Sequence, residues 1–327
     1  MPVNIPLGLK LLVPGYRSNW CGRYASLLSE IEKLWPRLTL DEADGIPSLK
    51  LEDGPILNGF WTEPANVEVY RILKGRLPRA LPVEYFRLIK DCLTRYVFPH
   101  MRPDLKPEGY LVEQMFGFHG QHKDAIVDLE DVAGRDRLKA AFLLKPDDVI
   151  VDCGCFLGFG EARVAPDLTD GHIYAVEADP DCYGLLSRNM EANGIANVTP
   201  IHRAAWNEIA ELELETSFAQ GNSLLSEVQQ GTQTKAVKTI TVDALVAKYG
   251  LEKLDMLSLT LNGAEVETLE GARKALAELR PRIRLAGWYS RSGRKIHDIT
   301  REQLLQHDYA VYVGPRGNVM ALPQEHV

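Results

Sequence analysis

A strand, a glycine turn, a helix and a second strand follow one another in residues 149–179, which read VIVDCGCFLGFGEARVAPDLTDGHIYAVEAD. The first strand, 149–151, is continuously apolar, as a parallel strand covered on both faces requires. The chain then turns through Gly154 and Gly158, and the second strand ends on Glu177. This order predicts a parallel α/β sheet that binds a ligand at the carboxyl ends of its strands.

The acid after the second strand indicates the kind of ligand. Glu177 follows Asp152, the last residue of the first strand, by twenty-five residues. An acid at this distance from a glycine turn is placed to bind the two hydroxyls of a ribose. The sequence therefore predicts a nucleoside-binding site.

The first turn discriminates between nucleosides. A dinucleotide site needs G-x-G-x-x-G so that the backbone can approach a pyrophosphate, but Phe156 occupies the place of the middle glycine. Asp152, directly before the turn, would repel a phosphate and can accept a hydrogen bond from an ammonium group. S-adenosylmethionine has an ammonium, a ribose diol and no phosphate, so these residues favour it over NAD.

Composition excludes several classes of protein. The 327 residues are 45% hydrophobic and carry a net charge of −8, which argues against a general nucleic-acid binder. No apolar stretch approaches the ~20 residues of a membrane span, and the N-terminus does not read as a signal peptide. The five cysteines are odd in number and scattered, so no disulfide framework is predicted and a cytoplasmic location is expected. Cys153 and Cys155 have no second Cys or His pair at zinc spacing, so no metal site is predicted.

Proline usage divides the chain into two regions. Twelve of the nineteen prolines lie in residues 1–107, where helical patterns at 24–35 and 86–97 end at prolines. We therefore predict a mainly helical accessory region over 1–125 and a catalytic domain over 126–327.

In the second region helical and strand patterns alternate. Helices are predicted at 133–143, 160–165, 180–193, 242–249, 265–279 and 300–307. Strands are predicted at 149–152, 173–177, 197–202, 254–261 and 282–288, with hairpins at 211–216/234–241 and 309–313/318–322. The alternation predicts a doubly wound sheet with an antiparallel edge hairpin.

Four ordered blocks within residues 145–290 resemble the FkbM-type family of S-adenosylmethionine-dependent methyltransferases. They read VDCGCFLGFGE, YAVEADPDCYGLLSRNMEANG, TITVDAL and LDMLSLTLNGAEVETLEGARKAL. The resemblance implies a Rossmann-like class I methyltransferase domain that methylates a hydroxyl, often of a sugar or another secondary metabolite.

The resemblance also implies where the cofactor lies. Asp152, Gly154 and Gly158 would line the methionine end, with Phe156 in the same turn. The pair Glu177-Ala178 would hold the ribose, and Ala205 and Trp206 would border the adenine.

The chain departs from the family at the proposed acceptor side. Thr260 and Asn262 replace the Asp and Glu of the family's "DVEG" block, which removes the carboxylates of an acid- or metal-assisted mechanism. Asn262 can still orient an acceptor hydroxyl through its amide. A histidine is the expected general base, and the candidates are His119 and His122 in the polar segment 117–122, with His202 and His297 as further possibilities.

Three functions are compatible with these observations. The first is an S-adenosylmethionine-dependent O-methyltransferase that acts on a small-molecule or glycan acceptor, without nucleic-acid or membrane partners. The second is a relative that binds the cofactor but has lost or altered its chemistry, as Thr260 and Asn262 would allow. The third is a nicotinamide oxidoreductase, which Phe156 disfavours.

Overall fold

The computed structural model describes residues 38–52, 54–59, 132–216, 221–225, 227–228, 233–314 and 317–327. The chain forms two compact units, 1–103 and 104–327. The predicted boundary at 125/126 and the helical character of 1–125 stay predictions, since the helices expected at 24–35 and 86–97 lie outside the described residues.

The described part of the first unit is a three-stranded antiparallel sheet that the sequence analysis did not predict. Its strands are β1 (Leu38–Ala43), β2 (Ile46–Leu51) and β3 (Ile56–Asn58). Asp44 and Gly45 connect β1 to β2 with φ of 57° and 75°, the two positive angles of a tight type I′ hairpin turn.

The second unit alternates helices and strands almost as predicted. Its elements up to the centre of the sheet are α1 (Val132–Ala141), β4 (Val149–Cys153), α2 (Phe159–Val164), β5 (His172–Glu177), α3 (Pro180–Ala192), β6 (Val198–His202), β7 (Ala204–Ala205), β8 (Glu211–Thr216), β9 (Gln233–Ile240), α4 (Val242–Tyr249) and β10 (Met256–Leu259). The remaining elements are α5 (Glu265–Glu270), α6 (Arg273–Glu278), β11 (Arg282–Ala286), β12 (Ser290–Arg291), β13 (Arg294–Lys295), α7 (Ile296–Leu305), β14 (Tyr309–Val313) and β15 (Asn318–Pro323).

A seven-stranded sheet organises this unit, in the order β14-β15-β11-β10-β4-β5-β6. The five strands from β11 to β6 are parallel, and β15 is antiparallel to both of its neighbours. The predicted class I methyltransferase fold, a doubly wound sheet with an antiparallel edge hairpin, is confirmed. From β4 the chain goes to β5 and β6 on one side, while β10 and β11 extend the sheet on the other. The topological switch point therefore lies between β4 and β10, where ligands of such sheets bind.

Local signals explain the helix boundaries. Asp179 caps α3 by accepting hydrogen bonds from the backbone N–H groups of Asp181 and Cys182, and Pro180 occupies the first helical position. Thr241 caps α4 in the same way, and Gly250 ends that helix with a φ of 62°.

Three predicted boundaries were wrong. The single helix predicted at 265–279 is two helices, α5 and α6, separated at Gly271, where an added Cβ would overlap the carbonyl oxygen of Trp206. The last helix begins four residues earlier than predicted, at Ile296, and strand β10 is shorter than 254–261.

The core covers both faces of the sheet. Adjacent residues of β4 point to opposite faces, so that Ile150 packs in one buried cluster with Leu186 of α3, and Val151 packs in another with Leu276 of α6. Among the described residues, no helix has the length and apolarity needed to cross a membrane.

Candidate functional site

An open pocket, about 550 Å³ with the solvent space at its mouth included, lies at the topological switch point. It lies at the ends of the parallel strands β4, β5, β6 and β10, and the β8–β9 hairpin contributes to its wall. Of the predicted site residues it is lined by Gly154, Phe156, Glu177, Ala178, Ala205 and Asn262.

Glu177 is the buried acid of this pocket. Its Oε2 accepts a hydrogen bond from the backbone N–H of Phe156 at 2.8 Å, and its Oε1 accepts one from the backbone N–H of Asp179 at 2.9 Å. Burial raises the pKa of Glu177 to about 7, although the two hydrogen bonds act in the opposite direction. A carboxylate has about four acceptor positions, so each oxygen can still accept a hydrogen bond from a ligand hydroxyl.

Phe156 holds an unusual backbone conformation. Its φ is 54°, in the left-handed region that bulky residues avoid. The N–H that it presents in this conformation is the one that binds Glu177. The first turn and the end of the second strand are thus joined by one hydrogen bond.

The two glycines of the turn meet different requirements. Gly154 has a φ of 88°, and a Cβ added to it would overlap the carbonyl oxygen of Thr260, so that β4 and the end of β10 can approach only at a glycine. Gly158 has a φ of 74°, and a Cβ there would overlap Leu186. Gly158 therefore allows α2 and α3 to pack, and it is not among the residues that line the pocket.

Asp152 is not among the residues that line the pocket. Its Oδ1 accepts a hydrogen bond from the hydroxyl of Ser258 at 2.7 Å, and its Oδ2 lies 3.8 Å from the guanidinium of Arg284. Ligand atoms of Asp152, Cys155 and Glu161 lie within 4.8 Å of one another. Burial, followed by the charge of Asp152, raises the pKa of Glu161 well above its usual value, and burial raises that of the Cys155 thiol. The expectation of no metal stays a prediction.

Of the two residues predicted to border the adenine, only one lines the pocket. Ala205 lines the pocket, whereas Trp206 is half-buried outside it and donates its backbone N–H to the carbonyl of Ile240. The proposed contact of Trp206 with adenine therefore stays a prediction.

Several pocket residues were missed by the sequence analysis. Arg203 follows β6, and its guanidinium donates to the carbonyl of His202 at 2.7 Å. Leu214, Asn222 and Leu224 come from the β8–β9 hairpin. The position of Arg203 directly after a strand end was a usable signal, but nothing in the sequence indicates that the hairpin folds over the pocket.

A chain of polar contacts fixes this hairpin above the site. The side chain of Asn222 donates to Asp179 at 2.9 Å, and the carbonyl of Asn222 accepts from the side chain of Asn262 at 2.9 Å. Ser223 donates to the carbonyl of Asn262 at 2.9 Å, and Lys235 pairs with Asp179 at 3.3 Å. The hairpin is therefore bound both to the end of β5 and to the loop after β10.

Glu265 fixes that loop from below. It is fully buried and accepts hydrogen bonds from the backbone N–H groups of Leu261 and Gly263, both at 2.8 Å. Burial raises its pKa to about 7. Its role is thus to hold the Leu261–Gly263 turn, in which Asn262 has a φ of 52°.

No histidine is among the residues that line the pocket in the described part of the chain. His119 and His122 lie outside the described residues, so their predicted role stays a prediction. His202 stacks on Tyr183 and contacts the carbonyl of Ala178 at 3.2 Å. His297 lies 3.1 Å from Asp298.

Comparison with known proteins relates part of this chain to methyltransferases. The family model described as methyltransferase FkbM domain matches residues 154–311, which confirms the resemblance predicted over 145–290. Hexuronic acid methyltransferase AglP of Haloferax volcanii is 25% identical over 161 residues, 49% of this chain and 65% of the relative. The 2-O-methyltransferase NoeI of Sinorhizobium fredii is 26% identical over 156 residues, 43% of this chain and 63% of the relative.

The chain thus spans just under two thirds of the length of these two curated relatives. A solved structure, methyltransferase FkbM from Methylobacillus flagellatus, is 16% identical with a TM-score of 0.39, and the match covers 55% of this chain and 45% of that one. Because the TM-score is low, the fold of this chain is assigned from its own strand order.

Proposed function

We propose that this protein, whose residues 154–311 match the model of the methyltransferase FkbM domain, transfers a methyl group from S-adenosylmethionine to a hydroxyl of a sugar or glycan. The observation that carries the proposal is the position of Glu177. It is the buried acid at the end of the second parallel strand, beside the glycine turn, and it lines the pocket at the switch point. This is where a ribose diol is bound in folds of this kind.

The pocket residues fit the cofactor along its length. Glu177 accepts hydrogen bonds from the two ribose hydroxyls. Ala178, Ala205, Leu214 and Leu224 give the apolar walls that an adenine requires, and the planar guanidinium of Arg203 offers a surface on which a purine can stack. Phe156 and the loop after β10 also line the pocket, and we assign the methionine portion to them. When bound, the cofactor supplies an electrophilic methyl group on a sulfonium.

The chain's own residues contribute mainly alignment. Methyl transfer is an in-line displacement, and its acceleration depends strongly on the positions of the reacting atoms. Glu265 and the Asn222–Asn262 contact hold the loop after β10, and the amide of Asn262 orients the acceptor hydroxyl from that loop. Removal of the hydroxyl proton is assigned to His119 or His122, as the sequence indicates.

The acceptor class rests on the relatives. One is named for the methylation of a hexuronic acid and the other for methylation at a 2-hydroxyl. A sugar hydroxyl is therefore the acceptor that we propose for this chain.

A second function is favoured by one observation. Thr260 and Asn262 line the pocket with neutral side chains at the positions of the family's two acids. A protein that binds the cofactor without catalysis would retain Glu177 and its neighbours and would still carry these replacements.

Two measurements test these alternatives. Calorimetric titration with S-adenosylhomocysteine and, in parallel, NADH is expected to show binding of the first ligand only. Incubation with S-adenosylmethionine and a panel of mono- and oligosaccharides, followed by mass spectrometry, is expected to show the gain of one methyl group. Binding without methyl transfer to any sugar supports the second function, and binding of NADH alone refutes both.

A further inference from the structure

The strand order defines the side of the pocket from which an acceptor approaches. The ends of β4, β5 and β6 lie on one side of the loop after β10, and β11 lies on the other. In the proposed function the nucleoside occupies the side of β5 and β6, next to Glu177. The acceptor must then lie over β10 and β11. Neighbouring strands are only about 4.8 Å apart, so residues just after β11 lie within reach of a sugar bound there.

Trp288, two residues after β11, is exposed at this edge. It retains 42% of its accessible surface, whereas the strand before it is almost entirely buried. The indole is thus an exposed aromatic surface at the carboxyl edge of the sheet, on the acceptor side. The C–H groups of a pyranose ring pack well against such a surface.

The backbone around Trp288 is held firmly. The N–H of His297 donates to the carbonyl of Gly287 at 3.1 Å, and the N–H of Ile296 donates to the carbonyl of Tyr289 at 3.0 Å. Gly317, just before β15, packs directly against this segment, since a Cβ added to Gly317 would lie 3.2 Å from the Cα of Trp288. The exposed indole is therefore carried by an ordered backbone, as a preorganised binding surface requires.

Arg291 connects this segment to the pocket wall. It pairs with Glu227, in the segment that follows the pocket residues Asn222 and Leu224, at 2.8 Å. It also pairs with the buried Glu267 of α5, the helix that follows the Asn262 loop, at 2.5 Å. The β12–β13 hairpin is consequently fixed against the segment that follows the pocket residues Asn222 and Leu224 and against the helix that follows the Asn262 loop.

The hairpin also carries a cation that is available to a ligand. Arg291 and Arg294 are both engaged by carboxylates, Arg294 by Glu302 at 2.6 Å. The ammonium of Lys295 is exposed and donates to the carbonyl of Trp288 at 3.1 Å. Within the described part of the chain no carboxylate pairs with Lys295. An ammonium group therefore lies against the backbone of the residue that carries the exposed indole.

We propose that Trp288 and Lys295 form an acceptor subsite for a sugar that bears a negative charge. The indole packs against the pyranose ring, and the ammonium of Lys295 donates to a carboxylate or phosphate on that ring. The inference rests on the proposed function, because that function fixes the side of the pocket that the acceptor occupies.

Binding is measured with the full-length protein saturated with S-adenosylhomocysteine. The probes are methyl glucuronoside, glucose 6-phosphate and the neutral methyl glucoside. Lys295→Met is expected to weaken binding of the charged sugars about fivefold, the scale of an exposed ion pair, and to leave the neutral sugar unchanged. Trp288→Ala is expected to weaken binding of all three about tenfold, since the aromatic contact is common to them.

Arg294→Met is the matched control, because it removes a cation of the same hairpin that Glu302 already engages. It is expected to leave all three affinities unchanged, and an equal effect of Arg294→Met and Lys295→Met would overturn the subsite. Charged sugars that bind no more tightly than the neutral one would also overturn it. The difference between the two charged probes identifies the group that Lys295 binds.

These outcomes are independent of the test of catalysis. Failure of methyl transfer to every sugar, with Lys295-dependent binding intact, would refute the proposed function but not the subsite. If methyl transfer to a neutral sugar were unaffected by Trp288→Ala and by Lys295→Met, the subsite would be refuted but the proposed function would not.

Discussion

The backbone N–H of Phe156 donates to Oε2 of Glu177 at 2.8 Å, across the edge between the first and second parallel strands. Phe156 can aim its N–H in this direction because its backbone is in the left-handed region. The buried carboxylate is thereby oriented before any ligand binds. The glycine turn thus has a role besides close approach to a ligand, because it positions the acid assigned to the ribose.

Glu177→Gln is expected to weaken binding of S-adenosylhomocysteine by about 1.5–3 kcal/mol, the scale of hydrogen bonds to a charged group. The amide has nearly the same shape as the carboxylate, but only one of its two terminal atoms accepts hydrogen bonds. Isothermal calorimetry at pH 8 measures the change. Glu208→Gln, at an exposed position, is the control, and an unchanged dissociation constant for Glu177→Gln would remove Glu177 from the ribose site.

Affinity for S-adenosylhomocysteine is expected to rise with pH through about 7, the pKa of Glu177. Burial raises this pKa above its ordinary value, so below pH 7 the side chain is mostly protonated and accepts fewer hydrogen bonds from the diol. Below pH 7 the Glu177 carboxyl must lose its proton before the ligand can bind to the ionised form. The affinity therefore falls about tenfold between pH 8 and pH 6. Glu265 has a similar pKa, so the discriminating control is Glu177→Gln. A pH slope that persists in this variant would assign the titration to another group.

Phe156→Asn is expected to stabilise the unliganded protein by about 1 kcal/mol, because Asn tolerates the left-handed conformation better than Phe does. The aromatic ring is half-buried in the pocket wall, so little core packing is lost. For a unit of this size the gain corresponds to a rise in Tm of about 2–4 °C. Phe156→Ala removes the same ring without favouring the conformation, and an equal rise in both variants would show that strain at Phe156 is not the cause.

The sheet was predictable because its signals are local. Each parallel strand is a short apolar run, and Asp179-Pro180 and Thr241 are recognisable helix starts. The break between α5 and α6 was not predictable, since the close approach of Trp206 to Gly271 joins residues that are far apart in the sequence. Asp44-Gly45 is a hairpin signal in the sequence, but it lies in the region 1–125, which the sequence analysis predicted to be mainly helical.

The site was predictable in part for the same reason. Glu177 and Phe156 follow directly from the strand–turn–helix–strand pattern, and both line the pocket. Leu214, Asn222 and Leu224 reach the pocket only because the β8–β9 hairpin folds over it, and that depends on contacts such as Asn222 with Asp179. Gly158 was assigned to the site because it belongs to the glycine turn. Glycine is required at this position because the start of α2 packs closely against Leu186.

Asn262→Gly is expected to lower turnover about tenfold while leaving the affinity for S-adenosylhomocysteine nearly unchanged, since one neutral hydrogen bond to the acceptor is removed. Glycine accepts the φ of 52° at this position, so the loop keeps its conformation. Ser223→Ala is the control, because it removes a contact between the same two segments and leaves the amide of Asn262 in place. Equal losses of turnover in the two variants would mean that Asn262 acts only by fixing the hairpin.

Methyl transfer is expected to be insensitive to EDTA. Mg²⁺ and Ca²⁺ prefer arrays of carboxylate and carbonyl oxygens, and Thr260 and Asn262 bring no carboxylate to the end of β10. The group of Asp152, Cys155 and Glu161 is a poor alternative. Asp152 is already engaged by Ser258, and burial raises the pKa values of Cys155 and Glu161, which disfavours the ionised forms that a metal would bind.

The measurement is the initial rate of methyl transfer with and without EDTA. Inhibition that a divalent cation reverses would contradict the metal-free mechanism, and Glu161→Gln would then locate the ion. If the ion lay between Asp152 and Glu161, this variant would need about tenfold more cation for half-maximal activity, the scale expected when a metal site is perturbed. An unchanged requirement for cation would show that the ion does not lie between Asp152 and Glu161.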